Sequence, residues 1–226
     1  LAVDIGGTFT DIVLRHSSGV LTVDKVLTTH QDLLEGFFAG VANVLKTAGI
    51  GPRDVDGIVV HATTIVTNAL IERKGPPTAL LVTEGFRDVL HIRNEHRYEM
   101  YDPQIEFPDP LVPSELTFGV GERVRADGEI LRAPDPRQVE TVAGEIKAKG
   151  VVSVAICFLN SYANPHNERA VGRQLAALLP DVYLTLSSDI APQIREYPRA
   201  STAAINAYTM PISLPYLRGL SERLRH

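Results

Sequence analysis

Asp4-Ile-Gly-Gly-Thr-Phe-Thr-Asp11 is the stretch on which the reading of this chain turns. Leu1-Ala-Val3 precedes it and Ile12-Val-Leu14 follows, so the two glycines fall in the turn between two short apolar strands. Adjacent glycines permit positive φ and put no Cβ in the path of a ligand. Successive amides in such a turn form a concave nest for an anion, and Thr8 and Thr10 add hydroxyl donors. Asp4 and Asp11 stand at the mouth, where carboxylates suit Mg²⁺, a cation that keeps several waters and bridges to phosphate. The octet therefore predicts a site, built from Asp4, Gly6, Gly7, Thr8, Thr10 and Asp11, for the phosphates of a metal-bound nucleotide. The simpler alternative is a tight turn closed by local Thr and Asp hydrogen bonds; two Asp and two Thr on one turn favour phosphate. Walker-type and dinucleotide loops are excluded, because both open a helix and Ile12-Val-Leu14 is too short and too β-branched to do so.

Working outward, Leu1–Leu14 and Val20–Leu27 read as three strands of a meander, with Ser17-Ser-Gly19 as a turn. Asp32 to Ala48 carries Leu33, Leu34, Phe37, Phe38, Val41, Val44 and Leu45 on one stripe and reads as a helix ended by Gly49 and Gly51-Pro52. Gly57-Ile-Val-Val60 reads as a short buried strand, Thr64 to Arg73 as a helix stopped by Lys74-Gly75-Pro76-Pro77, and Ala79-Leu-Leu-Val82 as a core strand. That order, from about 57 to 83, predicts parallel strands joined by a crossover helix.

Residues 91–136 hold six of the 15 prolines and read as an extended insertion of loops, with a hairpin around Asp127-Gly128. Beyond it, helices are expected at Gln138–Lys149, His166–Leu179, Tyr197–Tyr208 and Leu214–Arg225, and strands at Val151–Phe158 and Val182–Leu186. The expected organisation is thus a first part of a lobe over 1–90, the insertion over 91–136, and an α/β continuation of the same lobe over 137–226.

The 226 residues carry a net charge of −5, with 44% hydrophobic and 22% charged residues, ordinary values for a globular protein. The balance recommends neither nucleic acid nor an anionic membrane as a partner, since both call for a basic patch. No apolar run approaches a membrane span and no signal-like segment opens the chain, so a cytoplasmic location is expected. The single Cys157 sits in Val154-Ala-Ile-Cys-Phe158 and reads as inert core rather than as a nucleophile. The seven His show no metal-ligand spacing.

His61-Ala-Thr-Thr64 marks the end of a strand and the start of a helix, a favoured place for ligands in α/β sheets. A single Thr there is an N-cap, whereas Thr63 and Thr64 with Asn68 one turn on suggest a cleft lining. Arg93-Asn-Glu-His-Arg-Tyr-Glu-Met-Tyr-Asp102 is either a solvated loop of weak ion pairs or a substrate loop. If it binds substrate, Arg97 would clamp a carboxylate and Asn94 would match an amide edge.

The octet resembles the first phosphate motif of the actin, Hsp70 and sugar-kinase superfamily. His61-Ala-Thr-Thr-Ile-Val-Thr-Asn-Ala-Leu-Ile-Glu-Arg-Lys-Gly75 and Thr83-Glu-Gly-Phe-Arg-Asp-Val89 resemble the hydantoinase A/5-oxoprolinase family, with Ala62 where its members usually have Gly. Leu159-Asn-Ser-Tyr-Ala-Asn-Pro165, Glu168-Arg169 and Arg195-Glu-Tyr-Pro-Arg-Ala-Ser-Thr202 extend the resemblance along essentially the whole chain. It implies a ribonuclease-H-like mixed sheet with flanking helices, in the N-terminal lobe of a longer enzyme. It also implies ATP with Mg²⁺ for the opening of a cyclic amide, with Asp4 and Asp11 as catalytic residues that organise the metal or the attacking oxygen, and a second, B-type hydantoinase subunit as partner. Ketone carboxylases belong to the same family. A small-molecule kinase and a nucleotide-gated binding module are the rival readings within the superfamily.

Overall fold

The computed structural model describes residues 1–94 and 99–225. Contacts divide the chain into two compact units, Leu1–Lys74 with Ile212–His226, and Gly75–Pro211.

The first unit is built on β1 (Ala2–Ile5), β2 (Phe9–Arg15), β3 (Leu21–Leu27) and β4 (Val60–Thr63), in the order β3-β2-β1-β4. β1 and β3 run antiparallel to β2, and β4 runs parallel to β1, so the sheet is mixed. Period-two alternation sorts the side chains into two faces. Val3, Ile5, Thr10, Ile12 and Leu14 are buried on the inner face, while Asp4, Phe9 and Asp11 lie on the outer face and are exposed. β3 reverses the usual polarity: Leu21, Val23 and Leu27 are on the outer face, 57%, 67% and 68% exposed.

α1 (Leu33–Ala48) covers the inner face. Asp32 Oδ1 accepts the Leu34 amide at 2.9 Å, and Gly49 closes the helix at φ 69°, the left-handed cap that glycine adopts without strain. Gly40 lets α1 approach β2, since a Cβ there would lie 2.2 Å from Ile12 Cδ1. Phe37, Val44 and Leu45 pack with Val3, Ile5 and Ile12, joined by Tyr216 and Leu220 from the chain's last helix. α2 (Ile65–Glu72) follows β4 and ends at Arg73, a left-handed residue at φ 52°.

The second unit holds β5 (Thr78–Thr83), α3 (Val89–Ile92), β6 (Thr117–Val120), the pair β7 (Arg123–Val124) and β8 (Ile130–Arg132), and α4 (Pro136–Ala148). It continues with β9 (Ser153–Cys157), α5 (His166–Leu178), β10 (Tyr183–Leu186), α6 (Ser187–Ile190) and the first part of α7 (Glu196–Arg223). The main sheet has the order β10-β9-β5-β6, with every pair parallel. α4 and α5 cover one face through Val139, Ile146, Val171 and Leu175. Ala200, Ala203, Ala204 and Ala207 of α7 cover the other, with Val89 and Leu90. Every residue of β5 and β9 is buried, as parallel strands with helices on both faces require.

Four expectations are corrected. The strand expected at 57–60 begins only at Val60, and Ile58 is 81% exposed; among the described residues β4 pairs on one side alone, so the apolar run leading into it is not covered. The strands on either side of α2 lie in different sheets, so 57–83 is not a crossover unit. Thr117–Val120, inside the stretch read as loops and a hairpin, is a strand of the main parallel sheet. The two helices expected at the end are one, α7, which carries Pro211 and Pro215 within it.

Candidate functional site

The turn between β1 and β2 is fixed by its neighbours. The Gly6 amide donates to Phe9 O at 2.9 Å, Thr28 Oγ1 donates to Gly6 O at 3.0 Å, and the Thr28 amide donates to Thr8 O at 3.0 Å. Thr10 is buried and its hydroxyl lies 3.2 Å from that of Thr28, so it braces the turn from the inner face. Gly6 and Gly7 are not at positive φ, contrary to the first reading. Space asks for glycine at Gly6, where a Cβ would lie 3.1 Å from Phe9 O; on Gly7 a Cβ would make only an ordinary contact, 3.5 Å from Asn68 Nδ2. Among the described residues the amides of Gly7 and Thr8 donate no hydrogen bond.

A recess of about 240 Å³ opens beside this turn, lined by Gly6, Gly7, Thr28, His30, Thr64, Asn68, Glu72 and Lys74 with apolar groups including Ile5, Leu33 and Ile212. α2 positions its far wall. Thr63 Oγ1 accepts the Ile65 amide at 3.2 Å, which makes Thr63 the side-chain cap of the helix. Thr64 Oγ1 donates to Ile5 O at 3.4 Å and accepts from Asn68 Nδ2 at 3.1 Å, tying the start of α2 to the end of β1. His61 is structural: Nδ1–H donates to Val3 O at 3.2 Å and Nε2 accepts from the Tyr216 hydroxyl at 2.8 Å. Burial pushes that phenol up to about 12, so it stays a donor across the physiological range.

Asp4 and Asp11 face each other in register on the outer face of the sheet. Lys25, opposite Asp11 on β3, bonds its carboxylate at 3.0 Å and sits 5.0 Å from the centre of the Phe9 ring. The acids and the recess thus flank the same turn from opposite faces. Among the described residues no group of three or more His, Cys, Asp or Glu is placed to hold a metal. Two carboxylates with water and phosphate oxygens suit Mg²⁺, which does not need an all-protein cage. Asn94 is exposed in the second unit, and Arg97 lies outside the described residues.

Sequence reasoning missed Glu72 and Lys74, which it read only as the end of a helix. It also missed the polar core of the second unit. Glu168 is fully buried and accepts from the Phe158 amide at 2.8 Å, Ser187 Oγ at 2.6 Å and the Ser188 amide at 2.9 Å. Arg199, to which the sequence assigned no chemistry, is 1% exposed, donates to Phe158 O, and lies 5.5 Å from the centre of the Tyr162 ring. Glu122 accepts from Thr83 Oγ1 and, at 2.8 Å, from Asn167 Nδ2; burial holds its pKa above the usual carboxylate value against the opposing pull of those two bonds.

The mixed order β3-β2-β1-β4, opened by a glycine turn with free amides, belongs to an actin-like N-terminal fold. Residues 1–179 match the model of the hydantoinase/oxoprolinase N-terminal region, and the chain belongs to that family. The α subunit of caprolactamase from Pseudomonas jessenii is 32% identical over 96% of the chain and 32% of its own length. The crystal structure of this ATP-dependent caprolactamase superposes with a TM-score of 0.87 over 99% of the chain and 33% of that structure, at 31% identity. The nucleotide-free structure of an ATP-dependent acetone carboxylase superposes with a TM-score of 0.89 over 99% of the chain and 34% of that structure, at 26% identity. The 5-oxoprolinase of Saccharomyces cerevisiae is 30% identical over the whole chain and 20% of its own length. The chain thus spans between 20% and 34% of the length of these relatives. Among the described residues no helix is long and apolar enough to cross a membrane.

Proposed function

We propose that this region is the N-terminal lobe of an ATP-dependent hydrolase that opens a cyclic amide, in the manner of a hydantoinase or 5-oxoprolinase. The carrying observation is the Gly6–Thr8 turn, with two free amides beside an open recess and two carboxylates across its other side, in a chain of this family. A ring amide resists water because resonance stabilises it. Transfer of the terminal phosphoryl of ATP to the amide oxygen releases ADP and leaves an activated imidate. Water adds to that carbon, the ring C–N bond breaks with its electron pair going to nitrogen, which takes a proton, and a second water converts the acyl phosphate to carboxylate and inorganic phosphate.

In this reading the lobe supplies position and electrostatics. The Gly7 and Thr8 amides hold phosphate oxygens, the bonds of Thr28 to Gly6 and to Thr10 keep the turn rigid, and Thr64 and Asn68 line the recess. Asp4 and Asp11 would hold Mg²⁺, which neutralises charge on the phosphates when bound. Lys25 would yield Asp11 to the metal; the pair is half exposed and weak. A second subunit is expected as partner, because the caprolactamase relative is itself an α subunit.

The test uses the complete protein with its presumed second subunit, screened with hydantoins, 5-oxoproline, larger lactams and ketones for stimulated phosphate release. A lactam-dependent release of inorganic phosphate is expected, and Asp11→Ala abolishes it while leaving the fold intact. Wild-type turnover in Asp11→Ala removes the metal assignment. Similarity to acetone carboxylase supports a second reading, ATP-dependent carboxylation of a ketone, marked by phosphate release that needs both ketone and bicarbonate. A persistent phosphorylated product would instead indicate a kinase.

A further inference from the structure

We infer that Lys74 is a phosphate ligand of this site, held by Glu72 until a nucleotide enters. The inference rests on the assignment of the recess to a polyphosphate and adds a residue to it. α2 stops at Glu72, Arg73 takes the left-handed conformation, and the residue after it, Lys74, lines the recess with Gly6 and Gly7. Among the described lining residues Lys74 is the one lysine, there is no arginine, and Glu72 is the one carboxylate. Amide donors alone leave most of the charge of a polyphosphate unneutralised, and an ammonium with three rotatable donors is the compact group that offsets it.

The ion pair that Lys74 makes is one that an anion can replace. Lys74 Nζ bonds Glu72 Oε2 at 2.9 Å, with the two side chains 78% and 53% exposed. Exposed pairs of this kind are held weakly, so a more highly charged anion displaces the carboxylate at little cost. Glu72 then acts in two ways: it keeps the ammonium at the recess, and it places a negative charge at a mouth that phosphate must enter. The two residues should therefore shift nucleotide affinity in opposite directions.

The experiment is equilibrium binding of ATP and ADP to the complete protein, with Lys74→Ala, Lys74→Arg and Glu72→Gln compared with wild type and thermal unfolding as the check on the fold. Loss of a charge-assisted phosphate contact should weaken Lys74→Ala by about ten- to hundredfold. Lys74→Arg should keep most of the affinity, Glu72→Gln should bind tighter than wild type, and all three should melt with the parent. Equal nucleotide affinity in wild type and Lys74→Ala overturns the inference while leaving the recess assignment standing. Failure of the wild type to bind either nucleotide overturns that assignment, and the inference with it. Weaker binding in Glu72→Gln overturns the latch and assigns the pair to holding the end of α2.

Discussion

The two units differ in how their sheets are covered. β5 and β9 are buried along their whole length between α4 and α5 on one side and α7 on the other. In the first unit the helices lie on the inner face, and the outer face presents Leu21, Val23, Leu27 and Phe9 around the row Lys25, Asp11, Asp4 and Ala62. One sheet is organised for stability and the other leaves a face open, and the candidate chemistry lies on the open one. Strands closed on both faces offer a ligand little but their ends, whereas a half-covered mixed sheet can set carboxylates in the middle of an accessible surface.

The contrast is open to direct test. Leu81→Ala, at a fully buried position of β5, should cost about 2–5 kcal/mol, read as lost hydrogen-exchange protection across β5 and β9. Val23→Ala, on the outer face of β3, should change stability by less than about 0.5 kcal/mol. Similar losses at the two positions would show that the outer face is covered in the working protein. On the covered side of the first sheet, Gly40→Ala should cost about 1–3 kcal/mol by driving α1 away from Ile12, read as a lower urea midpoint. The smallest effect concerns pH. Burial raises the pKa of Glu122 above the ordinary carboxylate value of 4.5, so the folded state binds its proton more tightly than the unfolded chain does. That contribution to stability is fully present below the unfolded value and is lost as pH rises through the folded one. Glu122→Gln should therefore flatten the fall in urea midpoint above about pH 4.5.

Much of this was legible in the sequence, for local reasons. The meander follows from the Asp4–Asp11 octet and the Ser17–Gly19 turn, α1 from its apolar stripe and the Gly49 stop, and the mixed actin-like fold from the family motifs. What failed was non-local. Ile58 and Val59 look like a core strand, but nothing in the run says that pairing begins at Val60 and on one side only. β6 was hidden among prolines, because its partner Leu80–Thr83 lies more than 30 residues away. At the site, the glycines and Thr64 with Asn68 were readable, although Gly6 answers to space rather than to φ. Lys74 was not, because a lysine before Gly-Pro-Pro reads as punctuation, and its place at the recess depends on the left-handed turn at Arg73. The burial of Arg199 was not readable either, because its partner, the Phe158 carbonyl, lies on a distant strand end.

The lone thiol of this sequence acquires a practical use from its position. Cys157 ends β9, 5% exposed, with burial raising its pKa and so suppressing the reactive thiolate. A thiol-selective reagent can modify it only when the parallel sheet opens. Its labelling rate therefore clocks the opening of that half of the region alone, and the half that carries the glycine turn stays silent to the same reagent.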